Sequence, residues 1–319
     1  MAGLFTLEKT TQKQIFFASL RLCVKSFLFL LTFVILFSNC RSESANPQIT
    51  SPTREITDDL GHQVKLPETI ERAVSLAPNL TEITFAVGAG DKLVGRTSYD
   101  NFPLEAQKIQ TVGDTLNPNI ENIIALKPQV VLVSTASQIE TFTRQLEAQN
   151  IAVFVTNPNS LDDIYKSIYQ IGEIFGKEAK AREIVIDLRK RVDDVETRTN
   201  TAEVVKVFLQ ISKEPLFTIG KESFLTDLIN RAGGISVTAN VTTAYPELSK
   251  ETALALNPEA IILSDSEDNK EPNDVLKISP AMRNGKVFRI NADLLSRPSP
   301  RIVDALEQIA RALHPESFQ

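Results

Sequence analysis

Glu121 and Glu251 stand at the same place in two copies of one short pattern. Residues 121–134 read ENIIALKPQVVLVS and residues 251–264 read ETALALNPEAIILS, at an offset of 130. The copies share Glu121/Glu251, Ala125/Ala255, Leu126/Leu256, Pro128/Pro258 and Ser134/Ser264. Each reads as a short helix, a proline break and a buried strand, which points to an approximate internal repeat. Two acids on separate, matching units are poorly placed to act together as general acid and base. They are well placed to pair with arginines on a two-fold partner. Either acid, taken alone, also fits the ordinary role of a carboxylate stabilising a helix start.

Other reactive groups are sparse. The chain has two histidines, His62 in a hairpin and His314 before Pro315, and neither sits in a cluster of potential metal ligands. A His-built zinc or manganese site is therefore not expected. A Ser-His-Asp hydrolase would have to recruit one of these two positions. No G-x-S-x-G, G-x-x-x-x-G-K-[ST] or G-x-G-x-x-G motif occurs. We expect no catalytic residues, no metal ligands and no cofactor.

The two cysteines speak to location. Lys9, Lys13, Arg21 and Lys25 precede an uncharged apolar run, residues 27–37, which ends at Ser38-Asn39-Cys40. This is a secretory signal pattern, with an apolar stretch shorter than the roughly 20 residues a spanning helix needs. Cys23 lies inside it. Cys40 stands where the lipobox of bacterial lipoproteins places its lipid-accepting cysteine, although Phe37 and Asn39 depart from the usual residues. Residues 1–40 thus read as a lipoprotein signal peptide, and residues 41–53, rich in Ser, Asn and Pro, as a flexible tether. An exported protein, touching the membrane only through its lipid anchor, is expected. The net charge of −6 argues against nucleic acid, which demands a basic surface.

Elements must position whatever these residues do. A chain of 319 residues with 42% apolar and 23% charged residues suits two packed lobes. Residues 55–66 read as a hairpin turning at Asp59-Leu60-Gly61, and residues 73–77 as a strand. Asn79 and Glu82 fit a capping box opening a helix that stops at Gly88. Buried strands are expected at 130–134, 152–156, 204–211, 260–264 and 287–290. Helical periodicity fills the gaps, as at Ile164, Ile168, Ile171 and Phe175. Such alternation predicts an α/β fold with parallel sheets. Between the echoed segments, residues 178–200 lack Gly and Pro and repeat Ile184, Leu188, Val192 and Val195 at helical spacing. That predicts one long helix joining an N-terminal lobe, 54–177, to a C-terminal lobe, 201–319.

Several ordered segments carry a family resemblance. AVSLAPNLTEITFAVGAGDKLVGRTSYDNFPLEAQKIQTVGDTLNPNIENIIALKP resembles the first lobe of the iron-siderophore and cobalamin periplasmic binding proteins of ABC importers. FTIGKESFLTDLINRAGG, AYPELSKETALALNPEAIIL and RPSPRIVDALEQIARALHPE resemble their second lobe. The resemblance implies two Rossmann-like lobes joined by a single backbone helix, with a ligand cleft between them and limited opening. It also implies a monomer that hands a small-molecule metal chelate to a permease dimer served by separate ATPase subunits.

The pattern is most similar to the cobalamin-binding branch. That branch's transporter-docking acids fall on Glu121 and Glu251, its cleft tyrosine on Tyr99, and its acid and arginine near the last strand on Asp293 and Arg297. Members line the cleft with tryptophans, whereas this chain has none. Two of those positions hold Thr115 and Ser134, and a third holds Tyr245. Such a lining also suits an anionic ferric siderophore, with Arg297 as a charged donor. Tyr99 or Tyr245 as a haem iron ligand, a non-transport ligand sensor of the same fold, and an exported α/β hydrolase are the rival expectations.

Overall fold

The computed structural model describes residues 52–135 and 139–319. The signal segment, Cys40 and nearly all of the tether lie outside the described residues. The described chain begins with a hairpin of β1 (Thr53–Thr57) and β2 (Gln63–Pro67), paired antiparallel. Alternation puts Ile56, Val64 and Leu66 inward. At its turn the buried Asp58 carboxylate accepts the Leu60 and His62 backbone N–H groups.

The first lobe runs β3 (Ala73–Ser75), α1 (Pro78–Ala86), β4 (Leu93–Gly95), α2 (Ile120–Ala125), β5 (Val130–Ser134), α3 (Ile139–Glu147), β6 (Ala152–Thr156) and α4 (Leu161–Ile174). A connecting helix, α5 (Glu178–Thr199), leads to the second lobe. There the order is β7 (Val205–Gln210), α6 (Phe224–Arg231), β8 (Gly234–Ser236), α7 (Lys250–Ala255), β9 (Ala260–Asp265), α8 (Pro280–Arg283), β10 (Val287–Asn291), α9 (Ala292–Leu295) and α10 (Ile302–Leu313).

Both sheets are parallel, ordered β4-β3-β5-β6 and β8-β7-β9-β10. Counted within each lobe, this is the same 2-1-3-4 winding twice. The echo in sequence extends to backbone detail. The α2 and α7 N-caps, Asn119 and Ser249, accept from the N–H three residues on, Asn122 and Thr252. Both segments then pass through a left-handed residue, Lys127 (φ 48°) and Asn257 (φ 49°), before the shared proline. Non-glycine residues rarely adopt that conformation, so its occurrence at matching positions argues for a true repeat.

The expected capping box is not formed. Pro78 occupies the first helical turn and Ala77 is the N-cap, so α1 begins two residues earlier than the sequence pattern indicates. Proline's fixed φ suits a helix start. Asn79 therefore lies within the first turn, and Glu82 is drawn to the other lobe.

On α5, Ala181, Val185, Leu188, Val192, Val195 and Thr199 form a buried stripe. One apolar core continues from the hairpin through α4, α5 and α10 into the second lobe. Smaller clusters fill the outer face of each sheet. The lobes are thus joined by packing as well as by chain, which makes the connector stiff. Gly172 lets α4 and α5 approach closely, since a Cβ there would stand 2.5 Å from the Ala181 Cβ. Gly172→Val should therefore cost about 1–3 kcal/mol by overpacking, read as a lower urea midpoint.

Candidate functional site

Residues that follow the strands of both sheets line one cleft of about 740 Å³. From the first lobe come Ala77–Asn79 after β3, Ser98, Tyr99 and Asn101 after β4, Ser134 and Thr135 at the end of β5, and Asn157–Asn159 after β6. From the second come Glu222 and Phe224 after β7, Ala244 and Tyr245 after β8, and Asp293 and Ser296–Pro298 after β10. Open parallel sheets bind ligands beyond the carboxyl ends of their strands, at the point where winding reverses. In the first lobe that point lies between β3 and β5. The volume falls in the range of small-molecule sites.

The six cleft residues expected from sequence, Tyr99, Thr115, Ser134, Tyr245, Asp293 and Arg297, all line this cleft. Tyr99 and Tyr245 are 59% and 47% exposed, so both rings are open to an occupant. Desolvation pushes the Tyr245 pKa above the ordinary value, against a bond from the Ser223 hydroxyl. Glu121 and Glu251 do not line the cleft. Both are exposed, each in the first turn of its short helix. The Glu251 carboxyl is held below its usual range, first by its own backbone N–H and then by the Ser249 hydroxyl.

An ionic clasp joins the lobes beside the cleft and shares Asn101, Asp293 and Arg297 with its lining. Glu82, on α1, is buried with its side chain 2% exposed. Its Oε1 accepts from Arg297 Nη1 at 2.9 Å, and the Arg301 guanidinium bonds both of its oxygens. Ser299 Oγ donates to Oε2 at 2.6 Å. Arg297 is equally committed. Beyond Glu82, it donates to Asn101 Oδ1 at 2.7 Å, the Tyr99 carbonyl at 3.2 Å and Asp293 Oδ1 at 2.8 Å. Asn101 Nδ2 closes the ring on Asp293 Oδ2 at 2.8 Å. Arg301 also lies over the Phe102 ring, 3.9 Å from its centroid. Arg297 reaches the cleft wall with most of its donors already spent on protein.

Behind the same wall, the Asp100 carboxylate accepts from the Thr81 and Thr97 hydroxyls, tying the Tyr99–Asn101 loop to α1. Burial raises the Asp100 pKa, against those bonds. Sequence reasoning missed Glu82, Asn101, Ser299 and Arg301, because nothing in local spacing links residues some two hundred positions apart.

A larger hollow, about 1440 Å³, lies beside the hairpin and β6. Every described residue lining it belongs to the hairpin or to the first lobe, so a change in lobe separation cannot open or close it. Among the described residues no group of three or more His, Cys, Asp or Glu could hold a metal ion. No described helix is long and apolar enough to cross a membrane.

Two like-wound lobes, one stiff connecting helix and a cleft lined from both sides define a two-lobed ligand-binding protein. The chain belongs to the periplasmic binding protein family, which it matches over residues 74–294. It is 32% identical over 305 residues to an uncharacterized ABC transporter substrate-binding lipoprotein of Bacillus subtilis (strain 168), covering 91% of this chain and 96% of that one. It is 30% identical over 245 residues to a vitamin B12-binding protein of Vibrio parahaemolyticus, covering 76% and 89% respectively. The crystal structure of the periplasmic vitamin B12 binding protein BtuF of Vibrio cholerae superposes with a TM-score of 0.68 at 27% identity. It covers 79% of this chain and 100% of that one.

Proposed function

We propose that this chain is the ligand-capturing component of an ABC importer, exported and held at the membrane by lipid on Cys40. A corrinoid enters the interlobe cleft and favours closure to the extent that it touches both lobes. Glu121 and Glu251 then dock, one per lobe, on basic residues of a two-fold permease. ATP is hydrolysed by separate subunits, and this monomeric chain carries out no covalent chemistry and holds no resident cofactor.

The carrying observation is the cleft itself, lined by strand-end residues of both lobes with Tyr99 and Tyr245 exposed in it. Its charge favours a corrinoid over an anionic ferric siderophore. Among the described residues Arg297 is the single basic one lining it, paired with Glu82 and Asp293, while Glu222 and Asp293 are acidic. A strongly anionic chelate would meet no uncommitted cation among those residues. Thr115, Ser134 and the two tyrosines offer hydroxyls and ring faces to a broad, largely neutral macrocycle.

The chain has four tyrosines and no tryptophan, so binding of a coloured ligand can be followed by tyrosine emission. Titration with cyanocobalamin should quench it saturably, with ferric hydroxamate and haem binding more weakly. Failure of all three to bind would overturn the reading. Thr115→Trp should tighten cyanocobalamin binding from a few-fold to about tenfold, because an aromatic platform adds about 0.5–1.5 kcal/mol.

A further inference from the structure

The cleft contains a binding feature that neither the docking acids nor the expected lining residues use. Asn79 lines it, is only 5% exposed, and its Nδ2 has no hydrogen-bond partner among the described residues. A buried amide nitrogen without a partner is normally costly, so one in a cleft wall calls for a ligand group. The position adds a second donor. Asn79 lies in the first turn of the nine-residue α1, whose N-cap, Ala77, supplies no side-chain bond. Pro78 has no N–H to offer. Leu80 and Thr81 both donate to the Ala77 carbonyl, which leaves the Asn79 N–H as the open donor at the positive end of the helix. All of this sits after β3, where the winding of the first sheet reverses.

On the reading that the ligand occupies the interlobe cleft, we infer that Asn79 and the N-terminus of α1 form a subsite for a carboxamide side group of that ligand. A carboxamide carries a donor and an acceptor, as the Asn79 side chain does, and the pair can bond reciprocally while the backbone N–H takes the remaining lone pair. A carboxylate would satisfy the donors but meet the Asn79 oxygen with a second acceptor. It would also share a cleft with Glu222 and Asp293, with Arg297 already paired. Neutral amide recognition is the better match to the wall.

The test uses the mature chain, cyanocobalamin, which bears peripheral carboxamides, and haem, which bears carboxylates. Asn79→Asp is close in shape, and an acid in the first helical turn suits the dipole, so the melting temperature should not fall. At neutral pH the variant should bind cyanocobalamin at least tenfold more weakly than wild type. As pH falls through the carboxylate range the ratio should return towards one, because a protonated acid again both donates and accepts. A structural role for Asn79 would produce no such recovery. Equal affinity in wild type and variant at neutral pH would overturn the subsite and leave the cleft reading standing. Tighter wild-type binding of haem than of cyanocobalamin would overturn the carboxamide assignment alone. Absence of binding to either would bring down both.

Discussion

Replacing Glu82 with alanine should lower the unfolding free energy by about 3–5 kcal/mol, the usual cost of removing one partner from a buried ion pair. The substitution leaves Arg297, with a side chain only 7% exposed, and Arg301, at 23%, facing each other without their shared acid. Ser299 loses its acceptor as well. At roughly 2–4 °C per kcal/mol for a chain of this size, the melting temperature should drop on the order of 10 °C. Glu82→Gln should lie between, since it keeps an acceptor oxygen but loses the charge. The damage should reach the cleft, because Arg297 holds the Tyr99 carbonyl, Asn101 and Asp293 in register. A loss below about 1 kcal/mol in Glu82→Ala, typical of a solvated pair, would show that the clasp does not hold the lobes.

Reversing the two proposed docking acids, Glu121→Arg with Glu251→Arg, should abolish ligand uptake in cells while leaving ligand affinity unchanged. Both acids are exposed and away from the cleft lining, so ligand binding does not depend on them, and loss of each first-turn acid should cost at most about 1 kcal/mol of stability. Like charges opposed across an interface cost several kcal/mol, enough to reduce docking more than a hundredfold. Each single reversal should weaken uptake less than the double. Uptake at the wild-type rate in the double variant would remove their docking role and leave the cleft untouched.

Much of this architecture was legible before any coordinates. The repeat around Glu121 and Glu251 was visible because a helix, a proline break and a strand leave a local pattern. It proved deep enough to carry the paired left-handed residues Lys127 and Asn257. The connector was legible because α5 keeps an apolar residue every three or four positions over 22 residues. The strands β4 and β8 were not foreseen, since each is three residues long with a glycine among them, LVG and GIS, which leaves no apolar run.

The clearest misreading was at Asn79 and Glu82. Their spacing satisfies a capping box, but Pro78 had already set the helix start. Both side chains were then free for longer-range roles, Glu82 to the second lobe and Asn79 to the cleft. Arg297 illustrates the complementary limit. Its place on the cleft wall was expected, yet the partners that consume its donors are some two hundred residues away in sequence.

Hydrogen exchange of the mature chain with and without cyanocobalamin tests most directly where the ligand sits. Slowed exchange is predicted in 77–81, 98–101 and 157–159 of one lobe, together with 244–245 and 293–298 of the other. Protection confined to 60–67 and 143–155, around the hollow beside the hairpin, or to segments of a single lobe, would contradict capture between the lobes.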